Sequence, residues 1–276
     1  VNLPNALISI GNGAFQGCSK ISSLVCYPDL YSIGDYSFSG CSSLGEINIS
    51  DTVTSIGSGA FAKCSSLTKA TIPFESTGTF YEYFGSDDSF EAAIPKIDCN
   101  GNTKYVPGGL VSIEINSSTV LGNNAFYNCS QITSIKLNEG IKSIGQNCFY
   151  NCSGLTSLVI PDSVTSIDSS LSGCSNLIEL KIPFVGQTAS DSLDFGYIFG
   201  TSSYENSYSA AQSEGTYYIP NSLVAISIGG STISSGTCKN LTSIKTLIVS
   251  NSVQTIDSGA FQYCSSIENI TVPFVG

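Results

Sequence analysis

The side chains here that could do chemistry are thiols, phenols and carboxylates, because the usual catalytic partners are missing. Among 276 residues there is no His, Met or Trp, and no Arg, so all ten basic residues are Lys. Without an imidazole, neither a Ser/His nor a Cys/His nucleophile pair can be assembled, and His-ligated metal centres are excluded. Without a guanidinium there is no bidentate clamp for a phosphate or carboxylate. No residue is therefore expected to be catalytic, to bind a cofactor or to hold a metal, and the chain reads as no enzyme. A formal net charge of -11 leaves no basic patch for nucleic acid or for the surface of an anionic membrane.

Eleven cysteines pose the first question of chemistry. Cys18, Cys41 and Cys64 recur every 23 residues, as do Cys129 and Cys152; Cys174 follows 22 later and Cys264 closes the series. Equivalent thiols in stacked coils would stand about 5 Å apart, one strand spacing, which is too far for a disulfide. A ladder of buried free thiols is expected, with Cys26 replacing a strand Ile and Cys148 a core Ala. Cys99 lies outside the series and is the candidate for an exposed thiol. The carboxylates Asp87, Asp88 and Glu91 lack the spacing of a calcium loop and read as a solvated loop.

The elements that position these groups follow from the repeats. SIGNGAFQGCSKI, SIGDYSFSGCSSL, SIGSGAFAKCSSL, SIGQNCFYNCSGL and TIDSGAFQYCSSI align on one unit. After each Cys comes L-x-x-I-x-I, as at Leu44, Ile47 and Ile49 or Leu155, Leu158 and Ile160. Period-two apolar spacing over about five residues reads as a short strand with one buried face. Ten such segments can be traced, hence about ten coils. Pro73, Pro161, Pro183 and Pro273 end strands, where a missing N–H is tolerated. A second extended stretch, such as 53–57 or 164–168, lies across the coil from the first. With 41% hydrophobic and 11% charged residues the chain should fold, but no unit of this size buries its own core, so stacking must supply it.

The unit L-x-x-I-x-I-P-x-x-V-x-x-I-G-x-x-A-F-x-x-C resembles the BspA-type leucine-rich repeat of bacterial and protozoan surface proteins. The resemblance implies a β-rich right-handed superhelix with little helix and a parallel sheet on the concave face. It also implies a cell-surface or secreted setting, and protein or glycan partners on host matrix, other cells or microbes. Residues 1–276 read as one solenoid with enlarged coils at 74–109 and 184–222, each opening on I-P-F, carrying Phe-Gly (Phe84-Gly85, Phe199-Gly200) and returning through Tyr105-Val106-Pro107 or Tyr218-Ile219-Pro220. The I-P-F marker is echoed at Val272-Pro273-Phe274, so a longer array is expected, with any leader or anchor outside these residues. No apolar run reaches transmembrane length, so no direct insertion into a membrane is expected.

A binding module can use either of two surfaces. The outward strand positions carry Glu46, Lys69, Glu114, Lys136 and Lys181, a polar and lightly charged face. The enlarged coils carry Phe80, Tyr81, Tyr83, Phe90, Tyr197, Tyr204 and Tyr208, aromatics of the kind that anchor interfaces. The alternative, and the favoured one, is that those rings pack each enlarged coil onto itself, as satellite clusters do under long loops. Beside adhesion stands a second reading, a structural spacer array or intracellular scaffold without a dedicated ligand. Sequons for N-glycosylation occur at Asn48, Asn116, Asn128, Asn151, Asn240 and Asn269 and matter only in a eukaryotic secretory pathway.

Overall fold

The computed structural model describes residues 3–26, 28–74, 80–85, 96–99, 102–191 and 193–273, with 96–99 and 102–104 described as backbone. The chain divides into two compact units: residues 1–121 with 131–138, and 122–130 with 139–276. Both are built of stacked coils, and the protein is a parallel β-solenoid with almost no helix.

In the first unit five parallel strands pair in sequence order: Ser23–Val25, Glu46–Asn48, Lys69–Pro73, Ser112–Ser117 and Ser134–Leu137. Their register aligns Leu24, Ile47, Ala70, Ile113 and Ile135 as one buried row. The second unit repeats the plan with Ser157–Val159, Glu179–Ile182, Ala225–Ile228, Thr246–Val249 and Asn269–Thr271. Two-residue strands lie across the coils. Ser9–Ile10, Ser32–Ile33 and Ser55–Ile56 pair in the first unit; Ser143–Ile144 with Ser166–Ile167, and Thr232–Ile233 with Thr255–Ile256, pair in the second.

The spacing of the motif residues has a direct cause. Phe38 sits between Phe15 and Phe61 in a near-parallel stack, with centroids 5.2 and 5.7 Å apart, and Phe126 stacks on Phe149 at 5.7 Å in the second unit. Five of the repeat Cys reach back one coil. Cys41 Sγ donates to Phe15 O and Cys64 Sγ to Phe38 O, both at 3.4 Å; Cys152 donates to Phe126 O at 3.1 Å and Cys174 to Phe149 O at 3.2 Å. The thiol thus fills a core gap and also supplies a weak donor to a carbonyl. Cys238, which the 23-residue series misses, occupies the Phe position of its coil with Leu241 at the Cys position, and its carbonyl accepts from Cys264 Sγ at 3.1 Å. Among the described side chains seven cysteines are buried and free; Cys26 and Cys264 are half-buried and Cys18 is exposed.

The Gly of Ser-Ile-Gly is required by close approach. Asp35 N donates to Asn12 Oδ1 at 2.9 Å, and Ser58 N to Asp35 Oδ1 at 2.8 Å. A Cβ on Gly34 or Gly57 would overlap these groups. Gly or Asn fills most of the left-handed backbone positions that flank Ala-Phe; Tyr36, Lys63 and Tyr263, with φ of 52°, 58° and 62°, are exceptions. An L side chain there costs about 1–2 kcal/mol.

The enlarged coils leave the strand stack without interrupting it. Lys69–Pro73 pairs directly with Ser112–Ser117, and Glu179–Ile182 with Ala225–Ile228. Each intervening segment contains a 3-10 turn, Phe80–Phe84 or Phe195–Phe199, and an antiparallel hairpin, Lys96–Cys99 with Asn102–Tyr105 or Ser207–Ala211 with Thr216–Pro220.

Two outcomes follow for stability. Lys63→Gly removes the left-handed penalty at an exposed site and should stabilise the protein by about 1 kcal/mol, read as a higher urea midpoint. Burial pushes the Cys64 and Cys174 thiols from 9.0 to about 12. Below pH 9 both folded and unfolded chains keep these protons; above it the unfolded chain releases them while the folded chain holds them to about 12. Stability should therefore fall as pH rises from 9 towards 12, and a flat denaturation midpoint across that range would contradict this burial.

Candidate functional site

In the first unit the enlarged coil turns its aromatics inward. Phe80, Tyr81, Tyr83 and Phe84 are all buried, between 0% and 6% exposed. The Phe80 ring meets Tyr83 edge-on at 6.4 Å and Phe84 at 5.1 Å, and Phe74 meets Tyr83 at 6.3 Å. Gly59 N donates to Glu82 O and Phe61 N to Tyr83 O, which places Phe84 where an ordinary coil has its repeat Phe. Phe80, Tyr81 and Tyr83 are thus core of their own coil and offer no accessible ring, a correction to their expected projection. The cause is the 3-10 turn, which packs the run against the preceding coil. Phe90, Asp87, Asp88 and Glu91 lie outside the described residues, and Cys99 is described as backbone alone.

In the second unit Tyr197, Tyr204 and Tyr208 are half-buried. Tyr197 OH donates to Asp168 Oδ1 at 2.8 Å, and its phenol is pushed up to about 12 by burial and by that carboxylate. Tyr204 OH is buried with no partner, and burial raises its phenol further. Tyr208 OH accepts from Ser243 Oγ at 3.2 Å. The hairpin beside them is held down. Asp194, 0% exposed, accepts from Ser213 N at 3.1 Å, Ser213 Oγ at 2.5 Å and Glu214 N at 2.7 Å. Burial, with Asp194 adding, pushes the neighbouring Tyr217 phenol up to about 12. Gln212 bridges Gly196 N and Lys239 O, and Asn240 Nδ2 donates to Ala211 O at 2.6 Å. Tyr208 thus belongs to a docked hairpin, Tyr197 to the 3-10 turn and Tyr204 to the segment between them, each half-buried.

The outward strand positions form an open surface in each unit. In the first, Glu46 is opposite Lys69 and Glu114 opposite Lys136, the latter joined as an ion pair. In the second, Glu179 and Lys181 stand on one strand, Lys181 reaching Asp162 at 3.1 Å, and Lys245 pairs with Glu268 at 3.6 Å just before the last two strands. The first face thus carries two carboxylates and two ammonium groups on its strands, and the second carries one of each on its strands with a further pair, Lys245 and Glu268, just before them, so most of the net charge of -11 resides elsewhere. Among the described residues no three Cys, Asp or Glu side chains converge as metal ligands would.

Several exposed groups escaped the sequence reading. Val159, Ile178 and Ile248 are 56%, 43% and 42% exposed on or beside the outward strand face of the second unit; Val159, Lys181, Ser227 and Ile248 share one register row. Period-two patterning places Val159 and Ile248 outward, so the signal was present in the alternation. Tyr31, Tyr36 and Tyr263 are exposed, with Lys239 Nζ 5.3 Å from the Tyr263 ring centre. Tyr127 and Tyr150, half-buried, stack at 4.7 Å with planes 11° apart.

Stacked coils, a core closed by inter-coil contacts and accessible strand faces define a solenoid repeat protein. The family model for the BspA type leucine rich repeat region matches in six copies over residues 1–97, 102–194 and 215–274. The chain belongs to that family, whose repeats typically serve as protein-interaction modules and not as enzymes. No curated protein matches. Among solved structures, a leucine-rich repeat protein from Bacteroides ovatus is 20% identical, with a TM-score of 0.44, over 99% of this chain and 66% of that one. A leucine rich cell surface protein from Faecalibacterium prausnitzii is 20% identical, with a TM-score of 0.41, over 96% of this chain and 65% of that one. The chain thus spans a little under two thirds of the length of either. No helix among the described residues is long and apolar enough to cross a membrane.

Asp194→Ala should free the hairpin tip. We expect a loss of about 2 kcal/mol in urea unfolding, because three hydrogen bonds to a carboxylate disappear, and faster amide exchange at Tyr217 and Tyr218. Unchanged exchange there would show that the hairpin is held by its other contacts.

Proposed function

We propose that this chain is a non-catalytic binding module that holds a protein partner on the outward face of its parallel strands, in a cell-surface or secreted setting. The observation that carries this reading is the exposure of Val159, Ile178 and Ile248 on a strand face. Apolar side chains standing outward beside paired charges, with small Ala225 and Ser227 between, make a surface with an apolar centre and polar surround, the composition of a protein interface. Balanced charge on each face lets it approach an acidic protein that the rest of this acidic surface repels.

A glycan partner is the second reading, and the exposed Tyr31, Tyr36 and Tyr263 favour it, since sugars stack on ring faces. Tyr127 and Tyr150 are poorer platforms because each covers a face of the other. Membership of the BspA-type family supports the surface setting, and the missing His and Arg argue against catalysis.

The immobilised chain should retain at least one member of a panel of purified extracellular-matrix proteins. Val159→Asp with Ile248→Asp should then weaken capture by about tenfold or more, as expected when interface anchors are lost, while Tyr31→Ser with Tyr263→Ser leaves it intact. The opposite pattern, or selective retention of glycans, moves the site to the exposed tyrosines. Retention of nothing in either panel overturns the binding reading in favour of a spacer array.

A further inference from the structure

We propose that Tyr127 and Tyr150 form an oxidative cross-linking site, at which a peroxidase-type oxidant joins two successive coils through a dityrosine bond. The two rings are held in register from both sides. Phe126 N donates to Cys148 O and Asn128 N to Tyr150 O, each at 2.7 Å, so the backbone rungs bracket Tyr127. Beneath them Phe126 stacks on Phe149. The phenol rings lie 4.7 Å apart and 11° from parallel, an offset stack that brings their edges into contact. Core packing does not demand this pair, since the same position in other coils holds Gln16, Ser39, Ala62 or Ser172.

Ring contact sets these phenols apart from the exposed Tyr31, Tyr36 and Tyr263 and from the exposed thiol of Cys18. The chain has no Met, Trp or His to compete. The neighbouring thiols of Cys129, Cys148 and Cys152 are 0% exposed, and burial raises the Cys148 and Cys152 thiols well above their usual range, which withholds the reactive thiolate. Both rings, by contrast, are partly open to solvent.

The reaction balances with hydrogen peroxide acting through a haem peroxidase. Each phenol gives up one electron and one proton. The two radicals couple by a carbon–carbon bond between ring carbons ortho to the oxygens, and the hydrogens displaced from those carbons return to the phenolic oxygens. Peroxide takes up two electrons and two protons and leaves as water. The product is a covalent rung between coils, 23 residues apart in sequence, which should raise the thermal unfolding temperature.

The test treats the purified chain with hydrogen peroxide and a haem peroxidase. The expected result is blue dityrosine fluorescence, a monomer lighter by two hydrogen atoms, and a cross-linked peptide containing both residues. Yield should not change over about a hundredfold dilution, because the contact is intramolecular. Tyr127→Phe keeps the ring and the stack but should abolish the product, whereas Tyr31→Phe should not. The proposal is overturned if the fluorescence survives Tyr127→Phe, if the linkage joins separate molecules, or if no product forms under conditions that couple free tyrosine.

Discussion

Every feature of this protein depends on one constraint: a coil of 23 residues cannot close a core on itself, so each must complete its neighbour. Two kinds of contact meet that need. Backbone donors in one coil reach carbonyls in the next along the strands and also along the turn side, as Phe38 N does to Ala60 O and Phe126 N to Cys148 O. Apolar rows such as Leu24, Ile47, Ala70, Ile113 and Ile135 then bury surface against each other, each large side chain contributing about 1.5–3 kcal/mol. The energy is nearest-neighbour, so cooperativity passes along the array through these rungs and not through a single centre.

The cysteines show how far the constraint reaches into side-chain choice. A position facing the Phe carbonyl of the preceding coil needs modest volume, apolar character and a donor. Ala lacks volume and donor, Val lacks the donor, and Ser carries a stronger polar group into a dry site. Cys satisfies all three, which accounts for its recurrence better than redox or metal chemistry does. Where Cys238 and Leu241 exchange roles, the same space is filled in the other order, and the carbonyl of Cys238 still receives a thiol from Cys264.

Much of this was legible in the sequence because the repeat is its own alignment. The strand positions, the parallel order and the Pro exits follow from the spacing of Ile, Phe and Cys. What was not legible needed a partner outside the repeat. The acceptor of each thiol lies one coil away, and spacing alone does not show it. The aromatic run Phe80 to Phe84 leaves interface anchoring and packing onto its own coil both open in the sequence, because no period-two pattern marks its buried side; the 3-10 turn that buries it depends on Gly59 and Phe61 of the preceding coil. The hairpin of Ser207–Ala211 with Thr216–Pro220 likewise depends on Asp194, an acidic residue that reads as surface until its three donors are seen.

The same constraint supports the outward strand positions as the proposed recognition surface. Inward residues are committed to neighbouring coils, and turn residues are committed to side-chain hydrogen bonds with the next coil, as Asn12 and Asp35 show, or to left-handed geometry, as Asn124 shows. Outward strand residues form the remaining group whose side chains the fold does not specify, since the strand needs only their backbone. Glu46, Thr71, Val159 and Ile248 therefore occupy positions that can change without disturbing the stack. An apolar residue there costs solubility and adds little to the core, so folding alone does not call for the exposed Val159 and Ile248, which is what supports the partner surface proposed above.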